Sequence, residues 1–194
     1  MAYWDRLKRS VAPAETIVAL AEAKAHLNVS HADDDELIET LIAAATGAID
    51  GPNGIGIALI TQEWRMSLDS LPASFTLPLG PVQTLDEITY SDAAGNEHTL
   101  APASYRLDAD SSPARVFCET PISPASVQPG TVKVAFTCGY GDLAEDVPID
   151  LRHAVLMLVA HFYENREAAT AQGLVAVPFG VSCILDRYRS LAVG

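Results

Sequence analysis

The chain has 194 residues, 49% of them hydrophobic and 19% charged, and its 12 basic against 25 acidic side chains give a formal net charge of −13. That length fills one core, or a small core carrying an inserted subdomain, but not two large domains. Acidity without a run of Lys or Arg excludes the basic stripe that wraps nucleic acid, and leaves room for an acidic wall that repels passing DNA.

In chain order, Met1 to Ala12 carries Arg6, Lys8 and Arg9 but no apolar core of a signal peptide, and no stretch reaches the length of a bilayer span. Neither export nor membrane insertion is expected. Leu20 to Leu27 (LAEAKAHL) is rich in helix formers, with Leu20, Ala23 and Leu27 on one face. A second helix is expected from the acidic cluster Asp33 to Glu36, with Asp33 as cap and Glu36 in the capping-box position, to about Ile49. Its stripe is Leu37, Ile38, Leu41, Ile42, Ala45 and Ile49, and Gly51-Pro52-Asn53-Gly54 stops it.

From Leu59 to about Tyr140 the period changes to 2. Gln62, Trp64, Met66 and Leu68 alternate with Glu63, Arg65 and Ser67, which predicts a half-buried strand. Further strands are expected at 75–77, 82–90, 97–100, 105–107, 115–117 and 132–136, with a hairpin turn at Asp92 to Asn96 and a proline-rich loop from Pro121 to Gly130. Pro148 to Glu164 returns to helix, with Pro148 near its first turn and Asp146 near its cap. Ala154 to Ala160 (AVLMLVA) is apolar all round, so helices of the same or neighbouring subunits must cover it. Leu151, Val155, Leu158 and Phe162 are the expected subunit-packing positions. A small-residue linker, Ala168 to Ala176, leads to a tethered tail with a short helix in Val181 to Leu191.

The fold expected is α+β: a small helical bundle of N-terminal helices and a long apolar third helix, an inserted antiparallel β subdomain, and a C-terminal tail helix. The boundaries are 1–57, 58–141, 142–167 and 168–194.

The chemical candidates are sparse. His153, Met157 and His161 share a helix face, but no carboxylate completes a metal site. Cys118, Cys138 and Cys183 are far apart and odd in number, against both a disulfide framework and a thiolate zinc site, and a reducing cytoplasm is the simplest setting. No nucleophile turn or phosphate loop is present. An enzyme would have to use His153, His161 or Cys183, the last more in keeping with a small core residue. A soluble monomeric binding module is the other alternative. The tail, with Phe179, Val181, Ile184, Leu185, Arg187, Tyr188 and Arg189, either anchors in a partner's groove with arginines at the rim or folds back on its own body.

LAEAKAHLNV (Leu20 to Val29), DDDELIETLIAAAT (Asp33 to Thr46), ALITQEW (Ala58 to Trp64), LPLGPVQTLDEITY (Leu77 to Tyr90), YRLD (Tyr105 to Asp108), FTCGYGD (Phe136 to Asp142), VPIDLRHAVLMLVAHFYENRE (Val147 to Glu167) and VPFGV (Val177 to Val181) together resemble the phage head-tail connector family, which also occurs in prophages and gene transfer agents. The resemblance implies a structural adaptor, about a dozen copies of which form a ring under the portal and line the DNA conduit. It implies portal contact through Phe179 to Arg189, a tail-completion (stopper) protein on the opposite side, and DNA passing without specific binding. Cytoplasmic assembly followed by residence at the head-tail junction of the particle is also implied, with no catalytic residue, metal, cofactor or membrane. One departure is Ala19 where relatives often place a capping Ser or Thr, a loss of about 1 kcal/mol for the first helix.

Overall fold

The computed structural model describes residues 6–122, 129–165, 169–170, 173–174 and 179–189. Among these residues four α-helices form one layer, α1 (Leu20–Leu27), α2 (Asp35–Gly47), α3 (Ile149–Glu164) and α4 (Phe179–Tyr188). The strands are β1 (Leu7–Val11), β2 (Gln62–Leu68), β3 (Ser74–Thr76), β4 (Val82–Ser91), β5 (Glu97–Thr99), β6 (Tyr105–Asp108), β7 (Arg115–Cys118) and β8 (Val132–Cys138), then the two-residue strands β9 (Ala169–Thr170) and β10 (Gly173–Leu174). The architecture is α+β, with every strand pairing antiparallel.

A five-stranded sheet runs β1-β2-β8-β4-β5 and a three-stranded sheet β3-β7-β6, while β9 and β10 pair with each other. Alternation along β2 and β8 sends Trp64, Met66, Leu68, Val132, Val134 and Phe136 to the inner face, where they pack with Phe75, Val116 and Ile88 into a β core. The helices share a second core built on Ile38, Ile42, Ala45, Leu151, Val155 and Val159, to which the segment 55–60 adds Ile55, Ile57 and Leu59.

Several expectations shift. β1 is a strand that the sequence did not suggest; it leaves the N-terminal segment to pair with β2, placing Leu7 opposite Met66. Asp34, not Asp33, is the cap residue of α2, and no side chain caps that end, because the Asp34 carboxylate instead accepts the Tyr163 hydroxyl from α3. Asp146 serves the 3-10 turn before α3, accepting the Leu143 N–H at 2.9 Å. Ala19 offers no cap to α1, as its side chain requires. The hairpin forms where expected: Asp92 accepts the N–H groups of Ala94 and Asn96, both at 2.9 Å, and Gly95 takes φ +89°. With His98 and Asn96 also donating to it, the Asp92 carboxyl is held well below the usual carboxylate range. The expected loop at 121–130 and linker at 168–176 fall partly outside the described residues.

Candidate assembly surfaces

The tail helix is docked. Val181 and Leu185 enter the helical core, Ile184 and Tyr188 pack at its margin, and a Cβ on Gly180 would stand 3.0 Å from Met157 Cε of α3. Its C-terminal end is clasped to the start of α3: Tyr188 Oη donates to Asp150 at 2.8 Å, and Arg187 Nη2 reaches Asp150 Oδ2 at 2.8 Å. The hydrogen bond to that carboxylate is the main reason the Tyr188 phenol titrates above its ordinary value. Of the seven tail residues singled out in the sequence, Phe179, Arg187 and Arg189 are exposed, Arg187 while paired with Asp150; Val181, Ile184, Leu185 and Tyr188 hold the helix to its own chain.

In α3, Leu151, Val155 and Leu158, whose cover the sequence leaves to helices of the same or of neighbouring subunits, are buried among α1, α2 and α4 of their own chain, and Phe162 packs beside them. An apolar run needs cover wherever it lies, and the other three helices supply it internally. What α3 and α4 turn outward is Ile149, 80% exposed, and Phe179, 83% exposed; among the described residues Val11 and Leu143 are the other large hydrophobic side chains left in solvent.

The histidines and cysteines do not converge. His153 points outward with its ring edge-on to His26 at 6.2 Å, whereas His161 lies beside Asn165. Among the described residues no group of three His, Cys, Asp or Glu is placed to hold a metal ion, and no helix is long and apolar enough to cross a membrane. Cys183 is exposed rather than a core residue. Cys118 and Cys138 are buried, and burial, with Asp50 adding to it at Cys138, pushes both thiols up and away from reactivity.

Sequence reasoning missed a buried polar junction between the two cores. Asp50, just past α2, accepts the Leu59 N–H and Gln62 Nε2 on one oxygen, both at 2.9 Å, and Trp64 Nε1 donates to Gln62 Oε1 at 3.0 Å. Arg9 of β1 lies over the Trp64 ring at 5.2 Å and 3.9 Å from the second Asp50 oxygen. Desolvation outweighs these partners and holds the Asp50 carboxyl above its ordinary value. Strand alternation puts Gln62 on the inward face, the one signal available beforehand; its partner is twelve residues upstream and invisible to pattern.

The outer face of the large sheet is polar, and register lines up Lys8, Arg65, Ala135 and Glu87 in one row across β1, β2, β8 and β4. Lys8 and Glu87 stand at its two ends, both exposed.

Comparison with known proteins is consistent over nearly the whole chain. Residues 16–191 match the model of the family described as head completion protein. Three solved structures are similar with 97% of each chain covered: one in the virion of a native gene transfer agent particle (30% identity, TM-score 0.70), one in the neck of an empty particle computed with C6 symmetry (29%, 0.72), and one in the neck of a native particle computed with C12 symmetry (31%, 0.71). No curated protein sequence matches. A family match of this span, together with a shared fold from β1 to α4, places the chain in the head completion protein family.

Proposed function

We propose that the chain is a structural subunit of the neck of a phage-like particle, repeated around a ring of about a dozen copies between the portal and the tail, and that it has no enzymatic role. The observation that carries this reading is the correspondence over 97% of both chains with a neck subunit of a particle treated with C12 symmetry. The net charge of −13 suits a ring whose lumen passes DNA without holding it, since like charge keeps the duplex off the wall. In this reading the N-terminal segment 1–57, which gives β1 to the sheet and α1 and α2 to the helical layer, joins the α3 segment (142–167) and the β insertion (58–141) to form the body. The C-terminal segment 168–194 turns to the portal through the exposed side chains of α4, Phe179, Arg187 and Arg189, while the opposite side meets a tail-completion protein. Subunits assemble in the cytoplasm and then remain in the particle.

The test is the mass of the purified chain with and without its portal ring, by native mass spectrometry. A stoichiometric collar on the portal is expected. A monomer that ignores the portal overturns the reading in favour of a soluble binding module.

A further inference from the structure

We infer that neighbouring copies in the ring meet edge to edge through the five-stranded sheet, the β1 edge of one copy lying antiparallel against the β4 edge of the next, with Lys8 opposite Glu87. This deepens the ring reading and rests on it.

Among the described residues both edges are open, and β1 pairs only with β2. β5 covers only Thr89 to Ser91 of β4, and although Leu100 donates to the Ile88 carbonyl, the length from Val82 to Glu87 has a strand on one side alone. An open strand edge presents unpaired N–H and C=O groups and is a ready surface for a further chain. A cyclic ring needs a heterologous contact, two different patches on opposite sides of one subunit, and the two edges of one sheet supply that. The strand directions agree. From β1 through β2 and β8 to β4 each step is antiparallel, so β4 runs opposite to β1, and a copy rotated into the next position brings its β1 antiparallel to β4.

Charge selects the partner. The row across the outer face begins with the cation Lys8 and ends with the anion Glu87, and neither makes an ion pair among the described residues. Repeating the row places Glu87 of one copy against Lys8 of the next, with Arg65 one strand further on, a cross-strand opposite-charge pair at each junction. Bulges at Arg9/Val11, Val82/Thr84 and Leu85/Glu87 interrupt both edges. Such bulges discourage pairing with arbitrary strands, which leaves the charged row to specify a copy of the same chain.

Cysteine cross-linking of Lys8→Cys/Glu87→Cys, in a Cys183→Ser background that leaves only the two buried cysteines, tests the contact in assembled necks. Within one copy the two positions are three strand spacings apart, about 14 Å, beyond the roughly 7 Å that a disulfide spans between Cα atoms. Oxidation is expected to give a ladder of linked subunits ending at the full ring. A ring of normal mass whose subunits stay unlinked overturns the edge contact and leaves the ring reading standing. A Cys-dependent link to a different neck protein also overturns it, and absence of any ring overturns both. Charge reversal gives a second readout: Lys8→Glu or Glu87→Lys alone is expected to lose the ring, and the two together to restore it, whereas a failed restoration counts against the pairing.

Discussion

In the helical body each helix is tied to another by a polar or charged side-chain contact: Lys24 to Asp35, Arg152 to Glu22, Tyr163 to Asp34, and Tyr188 with Arg187 to Asp150. In the β body Thr137 of β8 donates to Asp86 of β4 within one sheet, but among the described residues no such tie joins the five-stranded sheet to the three-stranded one. Met66, Ile88, Val116, Val132, Val134 and Phe136 make an apolar interior, and its ion pairs Arg6–Asp69 and His98–Asp92 lie at the periphery. Apolar packing sets the sheets against each other by shape alone, whereas directional pairs decide where α1 and α4 sit on the longer helices. Partly exposed pairs of this kind are individually weak, so they orient helices that the buried core around Ile38, Leu151 and Val159 already holds together.

The largest departure is expected from Phe136→Ala. It removes a fully buried ring from the apolar interior and costs about 3–5 kcal/mol, read as a lower midpoint in urea denaturation followed by circular dichroism. A loss below about 1 kcal/mol would mean that apolar packing alone does not hold the β body together. Tyr188→Phe is next: losing the hydroxyl that donates to Asp150 costs roughly 1–2 kcal/mol, felt at α4 rather than globally. Hydrogen exchange should quicken over 179–189 and stay unchanged over β2 and β8; equal quickening in both bodies would erase the contrast. The smallest effect is a change of slope. Asp50 binds its proton more tightly folded than unfolded, so its ionisation subtracts stability as pH rises from the ordinary carboxylate value through the folded one. Asp50→Asn keeps the oxygen that accepts from Leu59 and Gln62, and should flatten stability over that window in a pH series of thermal melts. An unaltered slope would place the dependence elsewhere.

Period and propensity made most of the elements legible. The stripe Ile38, Ile42, Ala45 reads as α2 and the alternation of Gln62, Trp64, Met66, Leu68 as β2, because local geometry dictates both patterns. β1 was not legible: Leu7 is its one inward apolar residue, and its pairing partner lies more than fifty residues away. The packing role of Leu151, Val155 and Leu158 was legible as burial but not as to which chain buries them, since an apolar helix face carries no record of its cover. The same holds for Val181 and Leu185, whose spacing fits a partner's groove and their own core equally. The ends of the charged row, Lys8 and Glu87, acquire meaning only once register places them on one line.

The two bodies meet where the chain crosses between them, and the crossings at 59–61 and 139–141 are stitched together. Tyr140 N–H donates to the Leu59 carbonyl at 3.0 Å and Thr61 N–H to the Gly141 carbonyl at 2.9 Å, while Gly139, at φ +136°, lies so close to Ile60 and Thr61 that a Cβ would stand 2.6 Å from their backbone. Such a joint is a weld rather than a hinge. A push delivered to the sheet therefore reaches the helices as displacement of a whole lever, not as bending at its middle, and a ring of such levers would pass a load from one rim to the other with little lost to compliance within each subunit.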